Sequence, residues 1–189
     1  MVRILLARHG ETAWNAAGRL QGHTDIELND RGRDQARELA DALRDRGVTE
    51  IVTSDLARAR QTGELVAHEL GLAAPRVELS LRERRFGVFE GLTRDQCARE
   101  HPAAWKAWLD RTEAPPGGEA RDVAVMRIGA ALAAIASSAR GGTLVVSHGG
   151  IMRLWLMDAL GITPPPIKNG TTFALDFDGT RFALVSRSA

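Results

Sequence analysis

Arg8-His9-Gly10 ends an apolar run, Val2 to Ala7, that only Arg3 interrupts. A histidine between an arginine and a glycine suits metal ligation, general base catalysis or nucleophilic attack. Two other short apolar runs end in compatible groups. Glu50-Ile-Val-Thr-Ser54 is followed by Asp55 and, one turn later, Arg58; Thr143 to Ser147 is followed by His148-Gly149-Gly150. Alone, each has a plainer reading: a hydrogen-bonded histidine at a strand end, a solvated helix arginine, a glycine turn. Together they suit a phosphoryl group. Arginines clamp its oxygens bidentately, and a helix opening at Gly149 offers free N–H groups to an anion. A neutral imidazole can attack phosphorus in line and become a phosphohistidine, while fixed donors meet the charge of the transition state. The chemical rival is a metal site. The histidines stand at 9, 23, 68, 101 and 148, and none forms a His-x-x-x-His or similar ligand pair. No G-x-x-x-x-G-K-[ST] motif is present, so a nucleotide-binding P-loop is excluded.

The elements that must position these groups follow from periodicity. Val2 to Ala7 and Thr143 to Ser147 read as strands buried on both faces, as in a parallel sheet. Glu50 to Ser54 and Arg76 to Leu79 are two further strands. Asn29 or Asp30 caps a helix carrying Ala36, Leu39, Ala40 and Leu43 that Gly47 stops. Asp55 is expected to cap the next helix, which ends at Gly71. Glu119 to Ser138 and Gly149 to Leu160 are two more helices. Thr171 to Asp176 and Phe182 to Ser186 close the chain as a hairpin around Phe177-Asp-Gly-Thr180. Alternating strands and helices predict an α/β layer fold with a mostly parallel central sheet, the hairpin adding one antiparallel strand. Parallel strands would then bring the three chemical ends to one sheet edge, where ligands of such sheets bind. The irregular stretch 80–118, with one or two short helices around Trp105 and Trp108, reads as an insertion over that edge within a single domain, 1–189.

The totals agree. At 189 residues, 44% hydrophobic and 26% charged with formal net charge +1, the chain has the makings of one globular core and no electrostatic call for nucleic acid or a membrane surface. Nearly all its cations are arginine; Lys106 and Lys168 are the only lysines. Cys97 is the sole cysteine, so no internal disulfide forms, and no apolar run approaches a membrane span. A cytoplasmic protein is expected.

The motifs resemble the histidine phosphatase superfamily, in its phosphoglycerate mutase-like branch. The matching residues are Arg8-His9-Gly10-Glu11-Thr12 with Trp14-Asn15, then Gln21-Gly22, then Ser54-Asp-Leu-Ala-Arg58-Ala-Arg-Gln-Thr62. Leu81-Arg-Glu83 with Phe86-Gly87 and Glu90-Gly91 follows, and Ser147-His148-Gly149-Gly150 comes last. The resemblance implies a three-layer α/β/α sandwich, and it implies roles. His9 is the phosphorylated nucleophile. Arg8, Arg58 and His148 form the phosphate pocket. Asn15, Gln21, Gly22 and Gly149 bind substrate. Glu83 is the general acid, then the base that activates water. Nothing in the residues alone singles out Glu83, which sits in Arg82-Glu-Arg-Arg85 like a surface ion-pair partner. As acid it must hold a proton at working pH; His9 must be neutral, with a backbone carbonyl accepting from its other ring nitrogen. No metal and no cofactor is required.

Within the family the chain looks like the short phosphatases. Mutases carry a longer insertion after the glutamate motif, with a lysine and an adjacent arginine pair for the substrate carboxylate. Here Gly91 to Gly118 holds Arg94, Arg99, Lys106 and Arg111 with no adjacent pair, and the chain ends at Arg187-Ser-Ala189 with no tail to close over the site. The expected activity is hydrolysis of a small phosphomonoester. Phosphoglycerate mutation is the alternative, and a non-catalytic phosphate-binding module a further one. The resemblance also allows a homodimer. It does not choose among sugar phosphates, phosphoglycerates, glucosyl-3-phosphoglycerate, α-ribazole phosphate and phosphoserine.

Overall fold

A computed structural model describes residues 1–188. Six strands, β1 (Val2–Arg8), β2 (Val48–Thr53), β3 (Arg76–Val77), β4 (Gly142–Ser147), β5 (Thr172–Phe177) and β6 (Phe182–Arg187), form one sheet in the order β3-β2-β4-β1-β5-β6. β1, β2, β3 and β4 pair in parallel; β5 is antiparallel to both β1 and β6, so it alone runs against the rest. The expected sheet is therefore the observed one.

The helices are α1 (Ala13–Ala16), α2 (Asp30–Leu43), α3 (Ala57–Leu70), α4 (Arg94–Glu100), α5 (Pro102–Leu109), α6 (Arg121–Ser138) and α7 (Gly149–Leu160). Strand alternation sorts the core into two layers. Ile4 and Leu6 of β1 pack with Ile128, Leu132 and Trp155 of α6 and α7, whereas Leu5 and Ala7 pack with Leu39, Leu43 and Val66 of α2 and α3. That is why β1 is apolar at successive positions; each buried leucine or isoleucine contributes ~1.5–3 kcal/mol. The result is a three-layer α/β/α sandwich. A third cluster, Phe86, Phe89, Cys97 and Trp105, forms the core of the 80–118 stretch, where one or two short helices are expected and two, α4 and α5, are present, both tryptophans lying on α5.

Capping departs from expectation at one point. Asn29 caps α2 as read, its side chain accepting from Gly32 N–H. Asp55 does not cap α3. The N-cap is Leu56 with no side-chain bond, and Ala57 N–H is satisfied by Asp25 Oδ1 from a distant loop. Asp55 turns instead to Arg82, at 2.8 and 2.5 Å, and this ion pair holds its carboxyl below the ordinary range. A bidentate guanidinium outcompetes a single backbone N–H for the same oxygens.

β1 and β4 are neighbours, but the chain leaves β1 through α2 towards β2 and leaves β4 through α7 towards β5, on opposite faces. The two connections diverge and leave a crevice at the carboxyl ends of these strands.

Candidate active site

The ladder sets the first contact. Arg8 pairs with Ser147, and His9 N–H donates to Ser147 O at 3.1 Å, so the two histidines at the ends of β1 and β4 lie with ring centroids 5.1 Å apart. His9 Nδ1 is 2.6 Å from Gly10 O. A carbonyl only accepts, so Nδ1 carries the proton and Nε2 keeps its lone pair. Burial, then the charges of Arg58 and Arg8, push the His9 pKa well below its ordinary value and keep the ring neutral. Gly10 is needed because the backbone crosses the first turn of α2 here: a Cβ on Gly10 would sit 2.3 Å from Gly32 O, and one on Gly32 2.1 Å from Glu11 O.

Arg58 is fully buried. Its Nε donates to His148 Nδ1 at 3.2 Å, Nη1 to Thr24 O at 2.9 Å and Nη2 to Gly22 O at 2.8 Å. Burial pushes its pKa down to about 10, still a cation at neutral pH. Accepting at Nδ1 leaves the His148 proton on Nε2, a buried donor without a partner among the described residues. Burial and Arg58 also hold His148 neutral, its pKa well below the ordinary value. The fixed positive charge therefore rests on Arg8 and Arg58. Arg8 donates Nη1 to Ile167 O at 2.5 Å, while its buried Nε is unpartnered. Its stem crosses Gly149, where a Cβ would lie 2.9 Å from Arg8 Cδ.

Gly22 has φ +55°, and Glu90 Oε1 lies 2.2 Å from where its Cβ would be. Glu90 accepts from His23 N–H, Thr24 N–H, Thr24 Oγ1 and Phe86 N–H at 2.7–3.1 Å. Burial acts to raise its pKa, but these donors outweigh it and hold the carboxyl below its ordinary range. Glu90 thus fixes the loop whose carbonyls orient Arg58.

Glu83, only 7% exposed, reaches the start of α7. Oε1 accepts from Arg84 N–H at 2.8 Å and Ile151 N–H at 2.7 Å, and Oε2 from Gly150 N–H at 2.9 Å. Oε1 has both lone pairs filled; Oε2 keeps one position for a proton. A Cβ on Gly150 would sit 2.8 Å from either oxygen, so only glycine lets this carboxylate approach. The helix N-terminus expected to receive phosphate is thus mostly occupied by the protein's own carboxylate, leaving Gly149 N–H for a ligand.

Arg127 of α6 holds the segment leading to Glu83. It donates to Ser80 O at 2.7 Å and Arg82 O at 3.0 Å, and forks onto Glu119 at 2.8 and 2.9 Å. Arg127→Ala is expected to cost about 1–3 kcal/mol, since several buried acceptors lose their donor at once. The urea midpoint checks it, and Arg127→Lys, lacking the fork, should recover only part.

These groups line a cavity of ≈ 520 Å³ with Arg8, His9, Asn15, Gln21, Gly22, Arg58, Glu83 and Gly149 in its wall. All the residues picked from sequence are brought together, His148 adjoining through His9 and Arg58. Asn15 Oδ1 lies 3.2 Å from Thr12 N and 3.3 Å from Asn169 Nδ2, leaving its own amide nitrogen for a ligand. Gln21 Oε1 is buried without a partner; a 180° amide turn would place a donor there. A larger groove of ≈ 600 Å³ beside α2 and β5 is lined by Arg31 and Glu38, paired with each other at 2.7 Å, and not by His9 or His148. Sequence reading gave no role to Asn169, whose Nδ2 donates to His9 O at 2.9 Å, nor to Thr62, which accepts Gly10 N–H at 3.0 Å. The only signals were Asn169-Gly170 as a turn and Thr62 as the last residue of a motif. Trp105 is core; Trp108, stacked on it at 4.8 Å, reaches the cavity wall.

The family model for the histidine phosphatase superfamily (branch 1) matches residues 4–188. Phosphoglycerate mutase-like protein 4 of Arabidopsis thaliana is 39% identical over 155 residues, 79% of this chain and 67% of that protein. A probable phosphoglycerate mutase of Erwinia tasmaniensis is 36% identical over 86% of this chain and 76% of its own length. Among solved structures, a mycobacterial glucosyl-3-phosphoglycerate phosphatase complexed with VO3 superposes with TM-score 0.86 at 31% identity, covering 97% of each chain. A proposed α-ribazole-5′-P phosphatase of Escherichia coli gives TM-score 0.86 at 27% identity, covering 100% of this chain and 96% of that one. The chain belongs to the histidine phosphatase superfamily, branch 1.

Proposed function

We propose that the protein is a metal-independent phosphomonoesterase that works through phosphorylated His9. The observation that carries this reading is the His9 tautomer: Nδ1–H is spent on Gly10 O, which leaves Nε2 as the free nucleophile among Arg8, Arg58 and His148.

The Nε2 lone pair attacks phosphorus. The bond from phosphorus to the ester oxygen breaks, and that oxygen takes the proton from Glu83 Oε2. Water then attacks the phosphohistidine, Glu83 accepts its proton, the P–Nε2 bond breaks, and the electron pair returns to His9. Inorganic phosphate leaves with both histidines neutral again. Arg8, Arg58, His148 Nε2–H, the Asn15 amide and Gly149 N–H supply donors to the equatorial oxygens.

Hydrolysis is favoured over mutation by two observations. Solved structures of phosphatases superpose along nearly the whole chain. Of the cations between Gly91 and Gly118, only Arg94 lines the cavity of His9; Lys106 is exposed and bonded to Asp110. The names of the sequence relatives favour mutation.

The test is hydrolysis of p-nitrophenyl phosphate in excess EDTA, followed as nitrophenolate and inorganic phosphate. Turnover is expected to be unchanged by the chelator. Binding of phosphate without turnover of any monoester would support the non-catalytic module instead, and isomerisation of a phosphoglycerate faster than its hydrolysis would support a mutase.

A further inference from the structure

The cavity that holds His9 shares a wall with a second cavity of ≈ 490 Å³. Arg84, Arg94, Trp108, Arg153 and Leu154 line both, and the second adds Arg111 and Arg121. Two carboxylates, Glu113 and Asp122, also line it. Among the described residues, the only carboxylate within 4 Å of any of these five guanidinium groups is Asp158, at 3.6 Å from Arg121. Backbone carbonyls hold two of the stems: Arg84 Nε donates to Glu119 O at 2.8 Å and Arg153 Nε to Pro164 O at 2.9 Å. Among the described residues, their terminal nitrogens have no hydrogen-bond partner.

Two buried donors at this second cavity are also unpartnered, Trp108 Nε1 and Arg121 Nε. Arg111 is strained. With φ 61° it is the one non-glycine residue in the left-handed region among those described, a conformation held against its intrinsic cost. Four of these arginines have no carboxylate within 4 Å of the guanidinium, and around a concave wall the five outnumber the two carboxylates beside them, which concentrates an anion there.

We propose that the substrate's alcohol crosses the shared wall and carries a second anionic group into the outer cavity. Arg121 and Arg111 hold that group, with Arg153 and Trp108 Nε1 at the crossing. The substrate class is then a phosphomonoester whose alcohol bears a carboxylate or second phosphate several bonds from the ester oxygen. The inference rests on the phosphomonoesterase reading and deepens it.

The test compares hexyl phosphate with 6-phosphonooxyhexanoate and with hexane-1,6-diol bisphosphate, the last counted per ester. The charged esters are expected to show kcat/KM about 10-fold higher, through KM, the scale of one charge-assisted contact. Arg121→Gln and Arg111→Gly should bring that ratio towards one while hexyl phosphate is hydrolysed as before. Glycine at 111 keeps the left-handed backbone without strain, so the ratio is read in a folded enzyme. The two charged esters distinguish carboxylate from phosphate. Equal kcat/KM for all three in the unsubstituted protein, or a preference that both variants retain, overturns the outer site. Failure to hydrolyse hexyl phosphate at all would overturn the phosphomonoesterase reading instead.

Discussion

His9→Ala is expected to lower kcat for p-nitrophenyl phosphate by at least ~10⁴-fold, the scale on which an enzyme loses a covalent nucleophile. No neighbouring group can take its place. His148 offers Nε2–H, a donor, because its Nδ1 is held by Arg58 Nε at 3.2 Å. Arg8 and Arg58 are cations, and the Glu83 oxygens are engaged by backbone N–H groups. The variant should still bind phosphate, since Arg8, Arg58 and the loop through Gly22 are untouched. The direct measurement is a rapid quench in alkali with labelled substrate. The native protein should carry label that survives base and is lost in acid, as a phosphohistidine does; the variant should carry none. Full turnover in His9→Ala would end the assignment.

Glu83→Gln is expected to depend on the leaving group. For an alkyl phosphate, kcat/KM should fall ~10²–10⁴-fold, because an alkoxide leaves only if protonated. For p-nitrophenyl phosphate, kcat/KM should fall far less, since nitrophenolate leaves without a proton. The second half-reaction needs Glu83 as base whatever has left, so a burst of nitrophenolate followed by a slow steady state is expected. The variant should also be less stable, by about 1–3 kcal/mol, because an amide NH₂ would face one of the N–H donors of Arg84, Gly150 or Ile151. Equal losses in kcat/KM for both substrates would refute the acid role.

Much of this was legible from short-range signals. β1, β4 and α7 follow from apolar runs broken by Arg8 and His148, and the Asn29 cap follows from a side chain three residues from its partner. What was not legible is what sequence-distant groups decide between themselves. Asp55 looked like a cap and became the partner of Arg82, while Asp25 took over the helix. Gly149 looked like the mouth of an anion site, and Glu83, 66 residues earlier, fills most of it. Glu83 itself lies in an irregular stretch with no periodicity to read, so only the family motif pointed to it. Arg127, Glu90 and Asn169 act largely through backbone atoms, and residue type does not say which backbone atoms a side chain will find.

The pairing of Arg8 with Ser147 has a consequence for how the protein comes into being. The proposed phosphate pocket belongs to no segment of the chain. It exists only after strands some 140 residues apart have found their register and α7 has docked against Glu83. Closing such long loops is expected to come late, because their entropy cost precedes any reward. A partly assembled chain can carry most of its helices and still hold no phosphoryl group, so activity counts the finished molecules.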